Sequence, residues 1–460
     1  MRDNASSRRR QRPAAPLRDK AGSQEKKSPG LEDGFGPRRA ALKLLEALHR
    51  KGTLFDALTD PVRGDEAYLA LTPRDRALCR AIVLSSLRHQ RAIDAALDAA
   101  LDHPLAESAW KTRLILVLGA AQIFYLDVPA HAAVATAVSL TGAARDTRGF
   151  RGLVNAVLRK LTRLEAPPEA PHVPDWLETR WRKAYGDSRF AEIDRSLGAP
   201  APLDLTATGD AAALAERLGG EVLSTGTVRL AGGDVTALDG FDAGAFFVQD
   251  AAAALPARLL GTVRGLRVAD LCAAPGGKTA QLCLAGAAVT AVDLNRSRLK
   301  RLEANLARLG LAATIIASPA EQLKVEPFDA ILLDAPCSST GTLRRHPDVG
   351  FLKSAADITA LAGVQARLVD AAVALLKPGG LLVYSTCSLE PEEGEDQARQ
   401  ALQRHAGLVT VEVLADEVPG LEGAITPEGW LRTLPSMLAG KDARLSGLDG
   451  FFAARFRKAG

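Results

Sequence analysis

Cysteine is scarce in this 460-residue sequence, with only Cys79, Cys272, Cys283, Cys337 and Cys387. They are scattered and odd in number, and no two form a C-x-x-C pair. That pattern excludes the usual zinc frameworks, so no metal is expected, and it fits a reducing compartment in which thiols stay free for chemistry. Long hydrophobic runs are missing as well. None reaches the roughly 18 residues of a membrane span, so no membrane association is expected. The opening stretch, "MRDNASSRRRQRPAAPLRDK", lacks the apolar centre of a secretory signal, and a cytoplasmic location follows as the default. No internal repeat is evident. A true phosphate-binding P-loop is absent too. "VADLCAAPGGKTAQL" (268–282) ends like one, in Gly277-Lys278-Thr279, but the pattern G-x-x-x-x-G-K-[ST] requires glycine at 272, where Cys272 stands. Pro275 also has no backbone N–H to offer a phosphate. A nucleotide triphosphatase is therefore disfavoured.

The composition that remains, 47% hydrophobic and 24% charged, is that of a soluble globular protein, and the length suggests two to four domains. The charge is uneven. Residues 1–40 hold 11 Lys or Arg against 5 Asp or Glu, so with a total of +4 the other 420 residues net about −2. The segment 1–36 is rich in Arg, Pro, Ser and Gly and poor in large apolar residues, which predicts a disordered basic tail. Such a tail either solubilises the chain or finds phosphate backbones by charge.

Beyond the tail the periodicity changes twice. Over 37–165 it is helical throughout. "RRAALKLLEALHR" sets Ala41, Leu44, Leu45 and Leu48 on one face, and "LTPRDRALCRAIVLSSLRH" opens with Thr72 as N-cap and Pro73 at the first helical position. Residues 166–199 read as a Pro-rich linker followed by a short helical piece. Residues 200–261 form a small α/β segment. From 262 to 460, near-continuous apolar strands alternate with helices, the mark of a doubly wound sheet of Rossmann-like type. The fold class is thus multidomain, α followed by α/β.

In a doubly wound sheet, ligands bind beyond the carboxyl ends of the strands, at the switch point of strand order. "CAAPGGK" follows the first strand. Its residues Cys272, Ala273, Ala274, Pro275, Gly276, Gly277 and Lys278 are candidates to approach a ligand closely, helped by two glycines and a helix N-terminus. Asp293 ends the second strand, placed to accept hydrogen bonds from ribose hydroxyls; otherwise it caps the next helix. The third strand ends at Ser318, the fourth at Asp334-Ala335-Pro336-Cys337, and the fifth at Thr386-Cys387-Ser388. If strands four and five are neighbours, about 4.8 Å apart, both thiols reach one pocket.

Four stretches in this order, "CAAPGGKT", "DAPCSSTG", "RRHPD" and "YSTCSLEPEEGE", resemble the Sun or Fmu family of RNA cytosine methyltransferases, which modify carbon 5 with S-adenosylmethionine. The likeness covers residues from about 200 to the end. "LTPRDRALCRAIVLSSLRH", "VPAHAAVATAVSL" and "GFRGLVNAVLRK" are similar to the NusB-type RNA-binding domain. The sequence alone does not order the two cysteines, and DNA methyltransferases of similar chemistry use a Pro-Cys nucleophile. The resemblance implies that Cys387 is the nucleophile and that Cys337 aids its release.

The resemblance further implies that Asp334 holds the cytosine edge and lies close to the cofactor, and that Lys278 steadies the target site or lowers a thiol pKa. It implies that Arg344, Arg345 and His346 meet RNA, although a solvated charge cluster would look the same. Glu392 and Glu393 are expected to order the Cys387 loop, and Cys272 to line the cofactor pocket without reacting. One position departs from the family, in which an Asp after the third strand contacts adenine. Here Ser318 holds that place, with Glu321 as a possible substitute. The expected cofactor is S-adenosyl-L-methionine and the expected partner RNA, with 16S ribosomal RNA favoured by the NusB-like region, in a monomeric protein. A transfer RNA substrate, or an RNA-binding assembly factor with a degenerate catalytic domain, are the alternatives.

Overall fold

The structure, a computed structural model, describes residues 34–460. The basic tail expected over 1–36 lies, up to residue 33, outside the described residues.

The first domain is helical. Its main helices are Phe35–Lys51, Pro73–Arg88, Gln90–Ala100, Trp110–Tyr125, Ala130–Ala143 and Arg151–Leu161. Ala41, Leu44, Leu45 and Leu48 are all buried, as their spacing requires. Thr72 caps its helix, its hydroxyl oxygen accepting the Asp75 N–H at 3.2 Å, with Pro73 in the first turn. Trp110–Tyr125 is the central element. Its buried residues run without a break from Leu114 to Gln122, so it is enclosed on all sides by the other helices.

The expected linker is more structured than its prolines suggest. Asp175–Leu197 is a 23-residue helical stretch, broken only at Gly186, where φ is 77°. Leu177, Trp181, Phe190, Ile193 and Leu197 recur at helical spacing and pack against Leu343, Val349, Leu389 and Leu434. This helix is a brace on the C-terminal domain.

Four short strands follow: β1 (Leu203–Ala207), β2 (Glu221–Val222), β3 (Val228–Leu230) and β4 (Phe246–Val248). They form an antiparallel sheet in the order β2-β3-β1-β4. Inside it Arg229 and Asp204 make a fully buried, two-pronged ion pair, both contacts 2.7 Å.

The C-terminal domain holds β5 (Arg267–Leu271), β6 (Ala288–Asp293), β7 (Thr314–Ala317), β8 (Phe328–Asp334), β9 (Leu376–Thr386), β10 (Leu408–Thr410), β11 (Leu431–Thr433) and β12 (Phe451–Lys458). Their order is β10-β12-β9-β8-β5-β6-β7, with β11 also paired to β12. β7, β6, β5, β8 and β9 run parallel, whereas β12 is antiparallel to β9. Alternate residues of β8 enter different cores, Ile331 and Leu333 on one face, Ala330 and Leu332 on the other. Both faces are therefore covered, as continuous apolar strands predict. Among the described residues, Ala355–Leu375 is the one helix long and apolar enough to cross a membrane. It instead lays Leu368, Val369, Ala372 and Val373 on the sheet and carries Asp357, Arg367 and Asp370 elsewhere.

Candidate active site

Strand order reverses between β5 and β8, which lie side by side, so the loop after β5 and the loop after β8 meet there. Gly276 has φ 103°, and a Cβ at that position would sit 2.8 Å from Leu302 Cγ. Only glycine allows this turn. The helix Gly277–Leu284 starts next, and its second residue, Lys278, is buried. The Lys278 ammonium lies 2.8 Å from Asp334 Oδ2 and 4.8 Å from the centre of the Phe451 ring. Asp334 also accepts the Ser385 hydroxyl at 3.2 Å, from the neighbouring strand.

β8 and β9 are indeed adjacent and parallel. They deliver Cys337 and Cys387 to one point, with their sulfurs 3.5 Å apart. The two thiols are not equivalent. Hydrogen bonding from Cys337 holds Cys387 below the ordinary thiol pKa, with further help from Ser339 and the Lys278 charge. The same bond, together with burial, pushes Cys337 well up. By contrast, burial pushes Cys79 and Cys272 up to about 12 and Cys283 to about 11. Of the five, Cys387 is the one whose environment favours thiolate.

Asp293, at the end of β6, is 5% exposed. It accepts the Ala274 N–H at 3.2 Å and the Asn295 N–H at 2.8 Å, with Arg298 at 3.4 Å. It does not cap the next helix. Asn295 does, its side chain accepting from Ser297 and Arg298. Ser318 follows Ala317, which pairs with Asp293, and its hydroxyl donates to the Pro319 carbonyl at 3.1 Å. Glu321 lies exposed in the following turn.

Arg344 and Arg345, expected to meet RNA, are both engaged within the protein, Arg344 buried and Arg345 partly exposed. Arg344 is 2% exposed and donates to the carbonyls of Ala199, Pro200, Ala443 and Ser446. Arg345 donates to Asp250, to Asp449 at 3.1 Å and to the Pro202 carbonyl at 2.8 Å. An internal guanidinium offers several donors in a fixed fork, which suits it to tie three segments together. His346 lies at the rim, 3.6 Å from Asp56. The whole "RRHPD" stretch is a joint. Asp348 accepts the Phe55 N–H at 2.9 Å, and Arg88 donates to the Arg344 carbonyl at 2.8 Å. Replacing Arg345 with methionine leaves Asp250 and Asp449 buried without their cation. The expected cost is about 3–5 kcal/mol, read as a lower urea midpoint. The salt slope of RNA affinity in the folded protein should stay as in wild type, because no phosphate contact is lost.

Sequence reasoning missed Asp270. It is fully buried, its Oδ2 accepts the Thr279 hydroxyl at 2.6 Å, and its Oδ1 has no partner. Burial pushes its carboxyl up to about 7. An acid inside the apolar strand "RVADL" was the signal available. Asp270, Ala273 to Lys278, Asp334, Phe247, Gln249 and Arg308 line a cavity of about 400 Å³. Among the described residues no cluster of His, Cys, Asp or Glu could hold a metal.

A parallel sheet with an inserted antiparallel strand, a glycine turn at its switch point and an acid at the next strand end define a Rossmann-like methyltransferase domain. Family comparison agrees. Residues 257–457 match the model of the 16S rRNA methyltransferase RsmB/F family, and residues 36–163 match the NusB family. The ribosomal RNA small subunit methyltransferase B of Pseudomonas syringae pv. tomato is 35% identical over 92% of this chain and 97% of its own. That of Vibrio vulnificus is 36% identical over 79% of this chain and 90% of its own. In fold, the crystal structure of PH0851 overlays with a TM-score of 0.71 at 22% identity, covering 92% of this chain and 99% of its own. A methyltransferase homologue from Pyrococcus horikoshii gives 0.50 at 29% identity, covering 61% of this chain and 93% of its own. The chain belongs to the RsmB/F family of RNA methyltransferases, with a NusB domain at its N-terminal side.

Proposed function

We propose that this enzyme methylates carbon 5 of a cytosine in 16S ribosomal RNA, with S-adenosyl-L-methionine as methyl donor and Cys387 as nucleophile. The observation that carries the reading is the thiol pair, 3.5 Å between sulfurs, beside the Lys278–Asp334 ion pair. The residues present suit the cofactor. The Gly276 turn leaves room for close backbone approach, Asp293 ends β6 where ribose hydroxyls are bound in such sheets, and the unpartnered Asp270 Oδ1 lacks a donor. Asp293 and Ser318 would take the nucleoside end, and Ala273 to Gly277 with Asp270 the amino-acid end. When bound, the cofactor supplies an electrophilic methyl group.

The protein's own residues supply the rest. Cytosine C5 is a poor nucleophile until a thiolate adds to C6 and turns the ring into an enamine. Cys387, held toward thiolate, makes that bond. Asp334 holds the amidine edge of the base, its charge balanced by Lys278. As the C5 proton passes to solvent, the C5–C6 double bond re-forms, the C6–S bond breaks and Cys387 leaves as thiolate, with the Cys337 thiol hydrogen-bonding the departing sulfur. The base must be unstacked to enter, which unpaired RNA allows at low cost. We place the enzyme in the cytoplasm as a monomer, with His346 and the NusB domain at the RNA.

The test is transfer of label from S-adenosylmethionine to RNA, with bisulfite sequencing of ribosomal and transfer RNA from a deletion strain. One lost 16S cytosine is the expected result. A loss confined to transfer RNA overturns the substrate, and RNA binding without transfer overturns the activity. A pH dependence follows as well. Adduct formation in wild type should rise with pH through a Cys387 pKa below the ordinary thiol value. In Cys337→Ala the donor that lowers it is gone, so that limb should move to higher pH, as measured by adduct yield in short incubations.

A further inference from the structure

Ser338 and Ser388 each follow one of the paired cysteines, and both end on the same carboxylate. Glu393 is fully buried. Its Oε1 accepts the Ser338 N–H at 2.9 Å and a Gln365 side-chain N–H at 3.1 Å. Its Oε2 accepts the Ser388 hydroxyl at 2.6 Å and the Ser338 hydroxyl as well. Gln365 donates in addition to the Pro336 carbonyl at 2.9 Å, one residue before Cys337. Glu393 is itself fixed to β9, because its carbonyl accepts the Tyr384 hydroxyl at 2.7 Å and the Thr386 hydroxyl at 3.2 Å. Four donors converge on one carboxylate with no competing cation bonded to it. Without that carboxylate the two serine hydroxyls, 3.2 Å apart, would keep only each other, Thr340 and, for Ser388, the Glu390 N–H.

We propose that Glu393 is a positioning residue for both halves of the reaction. Through Ser388 it places Cys387 for attack on C6, and through Ser338 it places Cys337 for the release step. This goes further than ordering the Cys387 loop, and it rests on the roles assigned to the two cysteines above. A single buried carboxylate then sets the separation of the nucleophile and the thiol that aids its release. Neighbouring acids do other work: Glu390 accepts from Trp181 at 2.8 Å and from Arg180, and Glu392 pairs with Arg180 at 2.8 Å, both holding the brace helix.

The two ties make separable predictions. The full chain is incubated with S-adenosylmethionine and unmethylated 16S ribosomal RNA, and two quantities are followed, the rate of covalent protein–RNA adduct formation and the adduct present at steady state. Ser388→Ala should slow formation, on the order of 10²-fold, with no accumulation. Ser338→Ala should form adduct at the wild-type rate but accumulate it. Glu393→Gln, which keeps the volume and loses the anion, should show both effects, with S-adenosylmethionine affinity by calorimetry unchanged. If Glu393→Gln forms and clears adduct at wild-type rates, the proposal fails. It also fails if all three variants lose both steps in proportion to a fall in thermal stability. Absence of any adduct in Cys337→Ala with the other residues intact would instead overturn the assignment of the cysteines.

Discussion

Cys387→Ala is expected to abolish methyl transfer, a loss on the order of 10⁴-fold or more in turnover, with RNA and cofactor affinity unchanged. The thiolate adds to C6 before C5 can react, so no residual route of comparable rate remains. Cys337→Ala should give the opposite phenotype. The first bond still forms, the last one does not break, and a covalent protein–RNA species appears on a denaturing gel. The Ser339 hydroxyl and the Lys278 charge, both on the Cys387 side, favour this asymmetry. The two sulfurs are in contact, but the shared hydrogen bond lowers one pKa and raises the other, so they cannot exchange roles by symmetry. A trapped species in Cys387→Ala, with none in Cys337→Ala, would reverse the assignment and make this enzyme resemble the Pro-Cys chemistry of DNA methyltransferases.

The second large effect concerns packing. Gly341 stands where the loop after β8 crosses the chain before β12. Its N–H donates to the Cys387 carbonyl at 3.0 Å, and its carbonyl accepts the Gly450 N–H at 2.8 Å. A Cβ on Gly341 would lie 1.9 Å from the Gly450 carbonyl oxygen. The obstacle is backbone, so no side chain can swing aside. Gly341→Ala should cost roughly 3 kcal/mol or more, since the two overpacked loop segments must separate, and should also displace Cys387. Gly363→Ala is the matched control. It is exposed in the middle of a helix with open space around its Cβ position. It should be stabilising by roughly 0.5–1 kcal/mol. Urea midpoints of the two variants check both signs. Equal midpoints would show that the crossing yields more easily than its geometry implies.

The sheet and the thiol pair were legible because each strand is apolar throughout and ends on a residue able to do chemistry. β5, β6, β8 and β9 carry that pattern, and the joint position of Cys337 and Cys387 follows once the fourth and fifth strands are neighbours. Less was legible where the signal is short or long-range. "LVTVEVL" reads as one strand, yet the strand ends at Thr410: the Val411 N–H still reaches the Arg455 carbonyl at 2.9 Å, but the Val413 N–H turns to the Gly429 carbonyl at 2.9 Å. β11 has only three residues, too few for an alternating pattern to stand out. Arg344 and Arg345 look like an RNA-facing cluster because sequence shows charge and not partners. The carboxylates that Arg345 binds, Asp250 and Asp449, lie about a hundred residues away on either side. Glu393 was visible as part of an acidic motif, but the serines that give it a purpose follow two separate strands.

The joint made by "RRHPD" gives the molecule a mechanical unity that its domain boundaries conceal. Asp348 bonds Phe55, Arg301 bonds Asp60, and Phe351 and Leu352 pack into the core of the helical domain. The loop that begins at Cys337 ends inside that domain. A displacement of the helical domain is therefore tied to the loop that carries Cys337 by about ten residues of chain. The helical domain and the catalytic loop share a lever.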